Sequence, residues 1–172
     1  YVATGEGLQR PDLSVGDGVY KSTDGGKTWN NTGLREGLQI GGLAIDPKDP
    51  RRVFAAVLGH PYGPNPERGV YRSVDGGKTW SAELAINQFE GDCLDDDNTT
   101  EGAVPAFGPN GEIYVAWAWN NRIWFDRSLD GGKTWLAKDI EIAGQPGGGD
   151  LGPAGPARLL RLRYRAARPG PA

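Results

Sequence analysis

The 172-residue chain has no methionine, one cysteine and one histidine. A lone Cys93 excludes an internal disulfide and says little about redox compartment. A lone His60 builds neither a Ser-His-Asp set nor a histidine metal site without distant partners. No apolar run of about 18 residues exists, so no spanning helix is expected. Neither an initiator methionine nor a signal peptide precedes the strand-like YVATG at residues 1–5, which reads as a piece of a longer protein. Turn chemistry is abundant instead: 28 glycines and 13 prolines accompany six tryptophans in a chain long enough for one packed core.

Basic charge is scarce in most of the chain. The net charge is −3, but the segment after Asp150 carries five arginines and no acid, leaving −8 for residues 1–150. An acidic body argues against nucleic acid as a partner, because phosphate binding needs a basic surface. The segment 144–172 is rich in Gly, Pro, Ala and Arg and shows no strand pattern; it reads as a disordered, non-functional tail. Asn30-Asn31-Thr32 and Asn98-Thr99-Thr100 fit the N-glycosylation pattern, which chance also supplies often.

One eight-residue phrase occurs three times: STDGGKTW at 22–29, SVDGGKTW at 73–80 and SLDGGKTW at 128–135. Its aspartates lie 51 and 55 residues apart. Upstream of the second and third copies stand GGLAIDP (41–47) and AVPAFGP (103–109), then RVFAAVLG (52–59) and EIYVAWAW (112–119), then GVYRS (69–73) and RIWFDRS (122–128). At the front, YVATG and GVYKS (18–22) supply the second and third runs of an incomplete unit. Each complete unit therefore offers four short strands separated by turn signals, the fourth being TWSAEL in one and TWLAKDIEI in the other. Four antiparallel strands at a repeat of roughly 50 residues indicate β-propeller blades, which bury their faces by stacking on each other. The expected fold is all-β: a propeller fragment of about three four-stranded blades, divided as a partial blade 1–36 and blades 37–90 and 91–143.

The phrase itself suits a hairpin between third and fourth strands. Asp-Gly-Gly turns the chain, the aspartate accepts backbone N–H bonds, the serine ties down a second turn group, and lysine faces solvent. Tryptophan buries a broad face and offers its indole N–H to a carbonyl. The pattern resembles the Asp-box, or BNR repeat, of sialidase-type propellers, through Ser22, Asp24, Gly26 and Trp29, through Ser73, Asp75, Gly77 and Trp80, and through Ser128, Asp130, Gly132 and Trp135. The resemblance covers residues 1–142 and implies that the boxes are structural, lying on outer hairpins away from the axis. That family includes exo-sialidases, xyloglucanases, sortilin-type receptor propellers and photosystem assembly factors. Residues 1–80 look most like sortilin-like or bacterial BNR-repeat proteins, and residues 93–135 more like sialidase-like exo-glycosidases. Family habit also implies an extracytoplasmic location.

A sialidase needs an arginine triad for the substrate carboxylate, a tyrosine nucleophile with its glutamate, and an acid/base aspartate. The Phe/Tyr-Arg-Ile-Pro motif that carries the first arginine in that family is absent here, so the chain has no complete active site. Glu101, ahead of the first strand of the third unit, sits where the resemblance places the tyrosine's glutamate and is the one catalytic candidate. Asp92, Asp95 and Asp97 suggest calcium, which prefers several oxygen ligands, but the EF-hand glycine is missing and a solvated acidic loop is the plainer reading. No cofactor is expected. Tyr62 and Arg68, on the Pro-rich loop after His60, read as loop packing. Alternation in EIYVAWAW sets Tyr114 with the alanines and Val115, Trp117 and Trp119 on the opposite face, which favours inter-blade core over sugar stacking. The sequence thus points to a glycan- or protein-recognition scaffold, with part of a sialidase-type exo-glycosidase as the alternative. Its expected partners are a glycan or protein ligand, and further blades of the parent chain or self-association to complete the ring; no membrane span is expected.

Overall fold

The computed structural model describes residues 1–7, 14–60, 66–89, 91 and 100–144, with the side chain of Glu101 left aside. The acidic run with Asp92, Asp95 and Asp97, together with Cys93, Tyr62 and the tail beyond residue 144, lies outside the described residues. Three antiparallel sheets follow one another along the chain. Sheet 1 holds β1 (Val2–Ala3), β2 (Val19–Lys21) and β3 (Asn30–Asn31). Sheet 2 holds β4 (Ile40–Ile45), β5 (Val53–Val57) and β6 (Gly69–Ser73), and sheet 3 holds β7 (Glu101–Phe107), β8 (Ile113–Trp119), β9 (Arg122–Ser128) and β10 (Ile140–Gly144). Strands run in simple meander order within each sheet, consistent with a fragment of an all-β propeller.

Two fourth strands differ from the sequence reading. TWSAEL forms only a single bridge, Leu84 to Val70, and in the third unit pairing begins at Ile140 rather than at Thr134. The physical reason lies in side-chain bonds that occupy these segments. The Ser81 hydroxyl accepts from Arg72 N at 3.0 Å, and Leu136 N donates to the Asp126 carboxylate at 3.0 Å. Each bond turns a backbone or side-chain group away from a regular ladder.

The core lies between the sheets. One cluster, Val19, Ile40, Ala55 and Val57 with Tyr1, Tyr71 and Trp80 packed on it, joins sheets 1 and 2. A second, containing Phe54, Val70, Ile113, Val115 and Trp117, joins sheets 2 and 3. Sheet 2 is covered on both faces, so every residue of β5 is buried, which is why VFAAV reads as an unbroken apolar run. Among the described residues sheet 3 is covered on one face only: in β8, Ile113, Val115 and Trp117 are buried while Tyr114, Ala116 and Ala118 are half-buried. The alternation of EIYVAWAW thus records a single inter-sheet contact. Glycines at 41 and 42 let the innermost strands approach, Gly41 against Gly7 on one side and Gly42 against Pro105 on the other.

The three octapeptides fold alike. In the second, the Ser73 hydroxyl donates to Asp75 at 2.8 Å and accepts from Gly77 N at 2.8 Å, while Thr79 donates to the same carboxylate through its amide at 2.9 Å and its hydroxyl at 2.6 Å. The first and third repeat this pattern around Asp24 and Asp130. Hydrogen bonds from the threonine hydroxyls Thr28 and Thr79 lead the causes that lower Asp24 and Asp75 to about 2; Ser128, then Thr134, lower Asp130 as well. A depressed carboxylate contributes stability that is present above its unfolded value of 3.8 and is lost as pH falls through the folded value. Asp75→Asn is therefore expected to lower stability at neutral pH and to flatten its decline between about pH 4 and pH 2. Urea melts of both proteins across that range check it; parallel pH profiles would refute the assignment.

Candidate functional site

The register places the octapeptides at one end of the sheets, beside the β7–β8 turn: Ile113 pairs with Ser128 on one side and Phe107 on the other. The opposite end collects the β5–β6 connection, the β8–β9 turn and the start of β7, where Glu101 pairs with Ala118. Asn120 and Asn121, at φ 52° and 56°, make that β8–β9 turn, a left-handed pair that the Asn-Asn sequence favours.

An aromatic group stands there. The ring of Phe89, 45% exposed, stacks on Trp119 with centroids 4.6 Å apart and planes at 4°. Trp124 leans on both, 6.0 Å from Phe89 and 5.8 Å from Trp119, and its indole N–H donates to Trp119 O at 3.0 Å. Asn87 holds the Phe89 carbonyl through its side-chain amide at 2.7 Å, and the Thr100 hydroxyl donates to the same oxygen. The Phe89 segment thus packs on the end of sheet 3, and Arg122 ion-pairs with Glu141 across β9 and β10. Trp117 is buried and wholly committed to core, while Trp119 and Trp124 are half-buried. On the neighbouring sheet, Arg68 donates to the carbonyls of Leu58 and His60, both at 3.0 Å, and so clamps the β5–β6 loop.

Two carboxylates that sequence reading did not single out are buried between sheets 2 and 3. Asp126 accepts from the amides of Arg127 and Leu136, and Asp139 accepts from Gln88 N at 2.9 Å. Burial pushes the Asp126 carboxyl up, aided by the neighbouring Asp139 charge, and burial likewise raises Asp139. Both are nearly sealed from solvent, so they hold the 135–139 segment against Gln88 and have no open face for a substrate. The signal for Asp126 was present in the repeat: Tyr20 and Tyr71 occupy its register position in the other sheets. Among the described residues no group of three or more His, Cys, Asp or Glu side chains could hold a metal ion. No helix there is long and apolar enough to cross a membrane.

The repeats themselves have a second task. The carbonyl of Gly76 accepts from Tyr1 Oη at 2.9 Å and from Lys21 Nζ at 3.1 Å, both on sheet 1. The carbonyl of Gly131 accepts from Arg72 on sheet 2 at 3.2 Å, and Trp80 Nε1 donates back to Thr32 O at 2.9 Å. The second and third hairpins are thus each pressed against the sheet before them.

The BNR/Asp-box repeat model matches residues 20–31 and 71–82. Two curated relatives, both described as xyloglucanase Xgh74A of Acetivibrio thermocellus, are 33% identical to this chain over 155 residues. The match takes in 76% of this chain and 16% of each relative, so the chain spans a small part of their length. The two matched repeats stand on the first two of three successive antiparallel sheets, so the chain carries BNR/Asp-box repeats on the sheet architecture of a propeller fragment.

Proposed function

We propose that this chain is a β-propeller module of a polysaccharide-hydrolysing protein and that its glycan-facing end is the one opposite the Asp-boxes. The observation that carries this reading is the 33% identity to a xyloglucanase over most of the chain. The aromatic group of Phe89, Trp119 and Trp124 supports the choice of end, since the apolar face of a sugar ring stacks on aromatic rings and a half-exposed Phe89 leaves such a face open. The substrate class is then a β-glucan backbone of the xyloglucan kind rather than a terminal sialic acid, and an extracytoplasmic location accompanies it. A recognition role for the chain itself fits a module that holds polymer while catalysis needs residues beyond it.

Affinity gel electrophoresis of the 172-residue chain in xyloglucan is the test. Retardation by xyloglucan but not by a sialylated glycan is expected, and Phe89→Ala should weaken it by about tenfold, a loss of the size of one aromatic contact. Retardation by the sialylated glycan alone, or by neither, would overturn the reading.

A second reading gives Glu101 a catalytic role. Its support is positional: the residue opens β7 at the same end as the aromatic group, opposite Ala118. In a longer parent protein, glycosidase activity that survives Glu101→Gln would remove it from the mechanism.

A further inference from the structure

At the octapeptides the joint between sheets 2 and 3 is closed by Arg72 on the Gly131 carbonyl and by the Phe54 ring against Gly132. A different clamp ties the chain crossing from sheet 2 to sheet 3 onto the segment before β10. Asp139 accepts from Gln88 N at 2.9 Å, and its own amide donates to Gln88 Oε1 at 3.4 Å. The Gln88 side-chain amide donates in turn to Ala137 O. Three bonds thus fix Gln88, and the next residue along is Phe89, whose ring stacks on Trp119.

Beside the clamp stands Asp126, wholly buried on β9 and paired with Val115 of β8. Asp126 Oδ2 and Asp139 Oδ1 are buried with no hydrogen-bond partner among the described residues. The core they share a face with is apolar: Val115 and Trp117 from β8, and Val70, Leu84 and Ile86 from sheet 2. The cations that sheet 2 turns this way are bound elsewhere, Arg72 at Gly131 O and Arg52 at Asp46, while Arg127, Lys138 and Glu141 are exposed. The charge that acts on Asp126 is therefore that of Asp139. An acid at this position is peculiar to sheet 3. In the other sheets Tyr20 and Tyr71 take it, with their hydroxyls on Asp17 and on Glu67 O, so the sheet itself does not require a carboxylate there.

We propose that Asp139 is a positioning residue for the aromatic group, clamping Gln88 so that Phe89 stays stacked on Trp119, and that Asp126 beside it makes the clamp loosen as pH rises. Ionising both carboxyls puts two like charges into one sealed space without a counter-charge, and this outweighs the stronger bond that an ionised Asp139 takes from Gln88 N. Burial raises each carboxyl above 3.8, so the fold holds these protons more tightly than the unfolded chain does. The stability they contribute is present at low pH and declines as pH rises from 3.8 through the folded values. The consequence for glycan rests on the reading of the aromatic group as the glycan-facing surface: xyloglucan binding should be strongest on the acid side.

NMR of the 172-residue chain from about pH 3 to pH 8 tests the clamp without any glycan. Phe89 lies parallel to Trp119, so its ring current shifts the Trp119 ring protons and reports the stack directly. That shift should be largest at acid pH and shrink through a titration above the ordinary carboxylate range. Asp139→Asn keeps an acceptor for Gln88 N and should hold the shift at every pH. Asp126→Asn should move the titration to lower pH. Asp139→Ala should lose the shift throughout and weaken retardation by xyloglucan about tenfold, as Phe89→Ala does. Gln88→Ala, which leaves both carboxylates in place, should also shrink the shift, and circular dichroism confirms that each variant is folded. A shift unchanged in folded Asp139→Ala or Gln88→Ala overturns the positioning role. A parent shift that is flat with pH, or that grows as pH rises, overturns the pH response. If the shift behaves as expected while xyloglucan retardation ignores both pH and Asp139→Ala, the clamp stands and the glycan-facing reading falls.

Discussion

Replacing Phe54 by alanine should cost about 3–5 kcal/mol of stability, the range for truncating a fully buried phenylalanine. The side chain is fully buried on β5 and meets Phe107 edge-on at 5.7 Å and Trp135 at 6.5 Å, so its loss opens space between sheets 2 and 3 that neither ring can fill without leaving its own contacts. It is also the platform for Gly132, so one truncation removes both core and joint. Domains of this size have total stabilities of about 5–15 kcal/mol, and the variant stands near the limit of folding. Urea denaturation followed by tryptophan fluorescence reads the change directly. A loss below about 1 kcal/mol would mean that the sheets pack through other residues than those of this cluster. Phe54→Leu keeps much of the volume and should fall between the two.

The sheets were legible because the strands carry local signals. GVYRS and RIWFDRS are enriched in β-branched and aromatic residues and stand between turn signals, and both form strands at the expected places. In EIYVAWAW the alternation even tells which face is covered, because sheet 3 has one inter-sheet contact while sheet 2 has two. TWSAEL misled for the opposite reason. Its apolar content suits a strand, but Ser81 spends its hydroxyl on Arg72 N of the preceding strand, a bond that apolar content does not reveal.

The octapeptide was legible as a turn and illegible as a joint. Asp, Ser and Thr form a closed set of bonds within eight residues, so their arrangement follows from spacing alone. The partners of the glycine carbonyls lie 55 to 75 residues away in sequence, at Lys21 and Tyr1. The candidate site is less legible still. Phe89 reaches Trp119 only after the chain crosses from sheet 2 to sheet 3, and Phe89 sits outside the repeated octapeptides, so nothing local marks it. Asp126 could have been found by aligning the three units, since an acid replaces the tyrosines of the other two.

Alanine at the second glycine of each octapeptide separates the turn from the joint. Gly26, Gly77 and Gly132 share almost one backbone conformation, with φ of 87°, 84° and 83°. The left-handed strain of a Cβ is therefore common to all three, about 1–2 kcal/mol. What differs is the space. At Gly26 the added carbon meets only Trp29, at 3.7 Å, an ordinary contact. At Gly77 it lies 3.3 Å from Thr32 Oγ1 and 3.4 Å from Tyr1 Cε1, tight but at a sheet edge that can yield. At Gly132 it drives into the Phe54 ring, within 2.9 Å of Cε1, where a fully buried side chain has nowhere to go. Overpacking of this kind adds about 1–3 kcal/mol. The expected order of destabilisation is Gly132→Ala above Gly77→Ala above Gly26→Ala, with roughly 2–5 kcal/mol for the first and only the backbone strain for the last. Equal losses at all three positions would reduce the glycines to turn residues and remove the joint from the explanation.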